Sequence, residues 1–119
     1  MNGVDATNGK RLSGDAHLRQ SVLDILSTPT GRRVLNRLYG SDLPSRVDNP
    51  QDGVTRTRII ADTAGALAAW EPRLQLEHVD VFFTAPGEFE LNITGLNRET
   101  GYPVRLTELT INGNQYRNN

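Results

Sequence analysis

Five of the chain's carboxylates are candidates for acid–base chemistry, which would need two of them. Hydrolysis by a carboxylate pair requires an acid and a base or nucleophile that are held at a set separation. The sequence places no two of the five across a cleft, and exposed carboxylates on strands most often form a solvated face. We therefore predict no catalytic residue. The five candidates are Asp24, Asp62, Glu71, Glu77 and Asp80.

Residue type and spacing argue against metal and thiol chemistry. The chain has no cysteine, which excludes a cysteine nucleophile, a zinc–thiolate site and a disulfide. Its two histidines, His17 and His78, are far apart and have no metal-ligand spacing. The stretch from Thr28 to Arg32 contains a glycine but lacks the Lys-Ser/Thr ending of a phosphate-binding loop. We predict neither a metal nor a cofactor.

A run of four residues, Trp70-Glu71-Pro72-Arg73, is the stretch best suited to binding a partner. Proline disfavours helical geometry in the residue before it, so this run ends a helix. In one interpretation Arg73 only compensates the negative end of that helix, and Glu71 is exposed. In the other, Glu71 and Arg73 sit in a rigid corner and offer charged hydrogen bonds to another protein. The residues alone leave both interpretations open.

Length and composition predict one domain with polar ends. With 119 residues, of which 36% are apolar, the chain can bury one modest core. We expect a flexible arm at residues 1–14, a folded domain at residues 15–111 and a polar tail at residues 112–119. The net charge of −1 predicts no binding to nucleic acid, and no apolar run is long enough to cross a membrane. The start of the chain lacks a signal peptide, which predicts a cytoplasmic protein.

The first half of the chain has helical periodicity. Asp15 is suited to cap a first helix that ends near Ser27. Thr28-Pro29 has the pattern of a second helix start, and Gly40 the pattern of its end. A third helix is predicted at about residues 54–70, after the start signal Asn49-Pro50. The predicted core faces are Leu18, Val22, Ile25 and Leu26 in the first helix, and Ile60, Ala64, Leu67 and Trp70 in the third.

From Leu74 onward the apolar residues alternate with a period of two, which is typical of strands. Turns at residues 85–87 and 97–101 divide this part into three strands of an antiparallel meander. The alternation slips between Leu76 and Val79, and again in the third strand, which indicates a β-bulge or a change of face. The predicted fold class is α+β, with helices on one face of a sheet of three or slightly more strands. The last strand runs into a polar tail, so its outer edge is open to a partner's strand.

Three stretches of the chain resemble the baseplate wedge proteins, or sheath initiators, of contractile phage tails and R-type pyocins. The type VI secretion system has a related baseplate subunit. The order and spacing of the stretches match over residues 14–93. The chain departs from the family pattern before Tyr39, since it has Arg37 and Leu38 where the family usually has a proline and an acidic residue. The stretches are His17 to Pro29 with Gly31 and Arg33, then Tyr39-Gly40-Ser41, then Ala66-Leu67 with Trp70 to Leu74.

The resemblance implies a small α+β subunit of the baseplate wedge and not an enzyme. It implies several copies in a ring, assembled in the host bacterial cytoplasm and then carried in the baseplate of the released particle. The implied partners are other wedge subunits, the tail sheath protein and the tube or hub proteins. The residues implied are Trp70, Glu71, Pro72 and Arg73 for the wedge core, Thr28, Pro29, Gly31, Arg33 and Tyr39 for a candidate second contact, and Val104, Leu106, Leu109 and Ile111 for the sheath-facing strand.

The same family suggests two alternative functions. It is often labelled lysozyme-like, which would make the chain a peptidoglycan-degrading enzyme, although no residue identified above supports that label. A relative acts as an anti-adaptor in protein degradation, which would make the chain a regulatory binding protein. The phage-type motifs favour the role in assembly.

Overall fold

Three helices and three strands follow one another along the chain. The computed structural model describes residues 6–31 and 38–112, with side chains from residue 14 onward. The strands pair in the order β1-β2-β3 as an antiparallel sheet, and the helices pack on its buried face. This arrangement confirms the predicted α+β fold and the meander. The elements are α1 (Ala6–Ser27), α2 (Leu43–Arg46), α3 (Gly53–Trp70), β1 (Leu74–Ala85), β2 (Glu88–Asn97) and β3 (Tyr102–Asn112).

Helix α1 buries its predicted stripe but begins earlier than predicted. The prediction that Asp15 caps this helix is wrong, because residues 6–14 are already helical. The Asp15 carboxylate instead accepts a hydrogen bond from the Asn97 side chain at 3.3 Å. Extending an existing helix costs much less than starting one, so a packed stripe can support a polar extension. Residues 1–5 lie outside the described residues. The stripe residues, each at most 1% exposed, are Leu18, Val22, Ile25 and Leu26.

The chain turns after α1 and does not begin a second helix at Pro29. The backbone N–H and the hydroxyl of Thr28 both donate to the Asp24 carbonyl, at 3.0 and 2.7 Å. Thr28 therefore closes α1, and the prediction that it caps a new helix is wrong. Pro29 pairs with Ser41 in an isolated parallel bridge. This bridge holds together the two ends of the segment that joins α1 to α2. Most of the predicted helix falls on residues 32–37, which lie outside the described residues.

Helix α3 begins and faces the core differently from the prediction. Its cap is Asp52, whose side chain accepts a hydrogen bond from the Thr55 N–H at 2.9 Å, and not Asn49-Pro50. Thr63 is fully buried. Its hydroxyl donates to the Ile59 carbonyl at 2.7 Å, so burial leaves no unsatisfied hydroxyl group. The core face is therefore rotated. It consists of Thr55, Ile59, Thr63, Ala66 and Leu67, whereas the predicted Ile60, Ala64 and Trp70 are only half-buried.

Both predicted slips in the strands are β-bulges. The register of β1 against β2 shifts between Leu76 and His78. In β3, two residues, Thr107 and Glu108, stand opposite Asn92 of β2. Glu108 has a φ of 58°, and its N–H donates to the side-chain oxygen of Asn92 at 3.1 Å. Each bulge returns the apolar side chains to the core face after the alternation slips. The bulge in β3 also interrupts an outer edge of the sheet.

Candidate functional site

Residues 70–73 form a corner between α3 and β1, and backbone hydrogen bonds fix its shape. The Glu71 N–H donates to the Leu67 carbonyl at 2.9 Å, and the Leu74 N–H donates to the Glu71 carbonyl at 3.2 Å. The Arg98 N–H donates to the Arg73 carbonyl at 2.7 Å. The corner is thus tied to the end of α3 on one side and to the turn between β2 and β3 on the other.

The Glu71 side chain points into the protein and is only 2% exposed. The Nε of Arg73 donates to its Oε1 at 2.7 Å, and the Nη2 donates to its Oε2 at 3.0 Å. The Ser21 hydroxyl of α1 also donates to Oε2. The interpretation in which Glu71 is exposed is therefore wrong. Charge-assisted, two-point hydrogen bonds are among the strong ones, so Glu71 fastens both Arg73 and α1 to the corner.

Burial and hydrogen bonding act in opposite directions on the pKa of Glu71. Burial alone would raise this pKa. The hydrogen bonds from Arg73 and Ser21, together with the charge of Arg73, outweigh burial and hold the pKa below its ordinary value. The hydrogen bond to Glu71 in turn raises the pKa of Arg73. Both side chains are therefore charged at neutral pH.

Acid should remove the stabilisation that Glu71 provides. A carboxylate with a lower pKa in the folded state contributes fully above its unfolded pKa, and the contribution disappears as the pH falls through the folded pKa. The ordinary pKa is 4.5, so the loss should begin below that pH. Urea unfolding of the native chain and of Glu71→Gln across this range should show a shallower pH dependence for the variant. Parallel curves for the two chains would contradict this assignment.

The outward surface of the corner carries two guanidinium groups beside a groove, and the Glu99 carboxylate lies near Arg73. Pro72 and Arg98 are exposed, and the Arg73 side chain is 32% exposed. The groove has a volume of about 380 Å³ and runs between α3 and the start of β1. This surface joins small and apolar groups to two guanidinium groups, which suits an acidic protein partner. The groove lining includes Ala64, Ala68, Pro72, Leu76 and Arg98.

Trp70 is the corner residue that faces the segment before α2. Its ring meets that of Tyr39 edge to face, with centroids 5.4 Å apart and planes at 61°. The Tyr39 hydroxyl donates to the Asp24 carboxylate, so Tyr39 links α1 to the end of α3. Trp70 and Tyr39 thus belong to one cluster. The other predicted second-contact residues are Thr28, which is buried, Pro29, half-buried, Gly31, exposed, and Arg33, which lies outside the described residues.

The apolar side chains of β3 face the core and not a partner. They alternate with exposed or half-buried residues on the opposite face of the sheet. Only the backbone groups on the outer edge of β3 are therefore placed to meet another strand. The buried side chains, each at most 5% exposed, are those of the predicted sheath-facing residues Val104, Leu106, Leu109 and Ile111.

Most of the carboxylates considered for catalysis are paired with donors inside the chain. The pairs are Asp62 with Arg46 at 2.9 Å, Asp80 with His78 at 2.8 Å, Asp24 with Tyr39, and Glu71 with Arg73. Glu77 is exposed at the bulge of β1. Within the described residues, no group of three His, Cys, Asp or Glu side chains could hold a metal ion. No helix in that part of the chain is long and apolar enough to cross a membrane.

Sequence reasoning missed two residues that shape the corner, Ser21 and Arg98. Ser21 is 50 residues away from Glu71, and their contact exists only because α1 crosses beside the end of α3. Arg98 reaches the corner through the pairing of β1 with β2. Neither contact leaves a local pattern in the sequence. The one available signal was that Ser21 lies inside the first stretch of the resemblance described above.

The fold and the corner define a small α+β domain in which a buried ion pair holds a helical half to an antiparallel meander. A family model described as baseplate wedge protein gp25 matches residues 12–101. The chain belongs to this family. The resemblance seen in the sequence is thereby confirmed, and the chain is a baseplate wedge protein of the kind found in contractile tails.

Individual relatives agree with this assignment. The chain is 36% identical to baseplate protein W of Escherichia phage P2 over 105 residues. This match covers 88% of the chain and 91% of protein W. A pyocin R2 baseplate, solved after contraction by electron cryomicroscopy, contains a chain with 40% identity and a TM-score of 0.60, over 69% of this chain and 83% of that one. A crystal structure from Geobacter sulfurreducens, provisionally described as a tail lysozyme, matches with 25% identity and a TM-score of 0.70, over 91% and 92% of the two chains.

Proposed function

We propose that this baseplate wedge protein joins the wedge core to the first sheath ring and templates sheath assembly by strand addition. The observation that carries the proposal is the outer edge of β3, because among residues 6–31 and 38–112 only β2 pairs with this strand, on its inner side. Backbone groups on such an edge accept a further strand, and their spacing imposes its register. Several copies around the tail axis would present this edge to the sheath. Each copy would also lie beside the tube or hub proteins.

The corner is the proposed contact with the wedge core. Glu71 does not reach the partner in this proposal. It fixes the direction of Arg73, which keeps a partly exposed guanidinium group beside Pro72 and Arg98. A guanidinium group held in one direction loses little freedom when it binds a carboxylate, so the corner favours an acidic helix of another wedge subunit.

Pro72→Asp should block the wedge contact without unfolding the chain. Pro72 is exposed, and an acidic side chain there would oppose the positive charge offered to the partner. In cells producing the complete particle, capture of wedge subunits by the tagged variant should fall at least about tenfold, as for a central interface residue.

Pro86→Asp is the matched control, since Pro86 is also an exposed proline and lies in the turn between β1 and β2. It should capture wedge subunits as the native chain does, and both variants should unfold at nearly the native temperature. Undiminished wedge capture by a folded Pro72→Asp chain would refute the corner as the contact.

Peptidoglycan hydrolysis is the competing function, because a structural relative is described as a tail lysozyme. The pairing of Glu71, Asp62, Asp80 and Asp24 within the chain favours the structural role. Purified native chain should leave the turbidity of a peptidoglycan suspension unchanged. A true lysozyme, assayed in parallel as the positive control, should clear the suspension. Clearing that a single carboxylate substitution abolishes would establish the enzyme instead.

A further inference from the structure

Phe82 of β1 is an exposed aromatic side chain on the open face of the sheet. The register of β1 against β2 places Phe82 opposite Glu90, and the adjacent pair, Val81 and Leu91, is buried against the helices. Because successive side chains of a strand point to opposite faces, Phe82 and Glu90 share the face away from the helices. The Phe82 side chain is 46% exposed there. The helices therefore leave this aromatic ring uncovered.

Carboxylates surround Phe82 on this open face. Glu90 lies directly across from it on β2. Asp80 precedes Phe82 by two residues on β1, and Glu88 precedes Glu90 by two residues on β2, so both point to the same face. No lysine or arginine occurs from residue 74 to residue 97, so neither β1 nor β2 supplies one to balance these charges.

The contacts of these carboxylates leave Glu90 available to a donor from another molecule. The Asp80 carboxylate contacts the Nε2 of His78 at 2.8 Å, and the Thr84 hydroxyl donates to the Glu88 Oε2 at 2.8 Å. The Glu90 side chain is half-buried and makes no hydrogen bond or ion pair with any residue in the ranges 6–31 and 38–112. Its negative charge therefore has no cation beside it in the described part of the chain.

Phe83, the residue after Phe82, already has a cation above its ring. The Cζ of Arg56 lies 5.0 Å from the Phe83 ring centroid, on the helical side of the sheet. Arginine suits such a position because its planar group stacks on an aromatic face and can also donate two hydrogen bonds to a carboxylate. Phe82 has no cation above its ring among the described residues. The pair of Phe82 and Glu90 thus offers an arginine both of these contacts.

Arg105 marks where the acidic part of the open face ends. It lies on β3 opposite Thr94, which is four residues, or about 13 Å, along β2 from Glu90. A positively charged partner is therefore attracted to the half of the face that carries Phe82 and Glu90, and is repelled from the half that carries Arg105. The charges on the face thus select both the chemistry of a partner and its position.

We propose that Phe82 and Glu90 form a docking surface for an arginine side chain of a different protein of the particle. The guanidinium group stacks on the Phe82 ring and donates to the Glu90 carboxylate, and the charges of Asp80 and Glu88 add attraction at longer range. This surface is separate from the corner and from the outer edge of β3, so it does not depend on strand addition. It gives the chain a third contact, with a partner opposite in charge to the one proposed for the corner.

Photo-cross-linking in the complete particle tests which molecule covers Phe82. In cells producing the particle, Phe82 is replaced by p-benzoylphenylalanine, which keeps an aromatic ring at this position. The purified particles are irradiated, and the cross-linked peptides are sequenced by mass spectrometry. We expect a peptide of a different baseplate or sheath protein with an arginine at or beside the cross-linked residue. The same cross-linker at Val54, which is 63% exposed on α3, is the control and should not yield this peptide.

The other occupants of this face correspond to different cross-links. A cross-link to residues 113–119 of this chain, to a second copy of the chain, or to a peptide without arginine would overturn the proposal. The absence of any cross-link at position 82 in intact particles would overturn it as well. Each of these results leaves the proposed functions of the corner and of the β3 edge untouched.

Glu90→Gln tests the role of the charge, because glutamine keeps the size of glutamate. In particles with the cross-linker at position 82, this substitution should lower the cross-link yield at least about tenfold, as for a central interface residue. Glu77→Gln, at an exposed position near the start of β1, is the matched control and should leave the yield unchanged. Thermal unfolding of each purified chain checks its fold. An undiminished yield from folded Glu90→Gln would refute the arginine contact.

Discussion

Arg73→Ala is expected to lower the free energy of unfolding by about 3 kcal/mol, the usual cost of leaving one charge of a buried pair uncompensated. The Glu71 carboxylate, 2% exposed, would retain only the hydrogen bond from Ser21. Urea unfolding at neutral pH measures this loss. Arg98→Ala is the matched control, since its exposed side chain makes no comparable pair with the residues that the structure describes, and it should cost well under about 1 kcal/mol.

The source of that loss can be isolated with a second substitution. In a Glu71→Gln background there is no buried charge to compensate, so Arg73→Ala should cost much less than in the native chain. The loss in the native background should also shrink in acid, because a protonated Glu71 no longer needs its cation. Equal costs of Arg73→Ala in the two backgrounds would contradict the buried pair as the cause.

Gly40→Ala is expected to destabilise the chain by about 3 kcal/mol or more, because backbone strain and a steric overlap act together. Gly40 has a φ of 111°, and a Cβ there would lie 2.2 Å from the Thr28 carbonyl oxygen and 3.1 Å from its carbon. That same oxygen accepts a hydrogen bond from the Ser41 N–H at 2.9 Å, so it cannot move away freely. Thermal or urea unfolding provides the measurement.

Two other glycines separate the contributions at Gly40. Gly31 has a φ of 93°, and no atom of the described residues lies within 4 Å of its Cβ position, so Gly31→Ala should cost only the strain, about 1 to 2 kcal/mol. Gly65 lies in α3, where no atom from the described part of the chain is within 4 Å of its Cβ position, and Gly65→Ala should stabilise the chain by up to about 1 kcal/mol. A Gly40→Ala chain as stable as Gly31→Ala would show that the contact with Thr28 is not rigid.

The strands could be predicted closely because their signals are local. The alternation from Leu74 onward, the turn residues at 85–87 and 97–101, and the two slips in phase are all visible in the sequence, and each corresponds to a strand, a turn or a bulge. One buried face of a sheet forces this pattern, since a shift by one residue would expose the whole apolar set.

The helices were predicted less well, for two physical reasons. The start of α1 depends on how far a packed helix extends into polar sequence, which no single cap residue determines. The core face of α3 includes Thr55 and Thr63, and a hydrophobic pattern does not count threonine, although Thr63 satisfies its hydroxyl within the helix. The apolar residues of α3 therefore indicated a face that the structure does not use.

The corner could be located from sequence, but its chemistry could not. Proline and the end of the alanine-rich helix marked residues 70–73 as a turn with two charges. The direction of Glu71 depends on Ser21, which only the packing of α1 brings near. This difference changes the expected roles, since Glu71 is buried and holds Arg73, and the proposed contact with a partner falls to Pro72 and Arg73.

A structure of the assembled baseplate that contains this chain would test the central claim most directly, and electron cryomicroscopy of the native particle can provide it. We expect a helix of another wedge subunit against Pro72 and Arg73, and an additional strand paired with the outer edge of β3. A baseplate in which the corner faces solvent, and in which the sheath meets β1 or makes no strand contact with this chain, would contradict the claim.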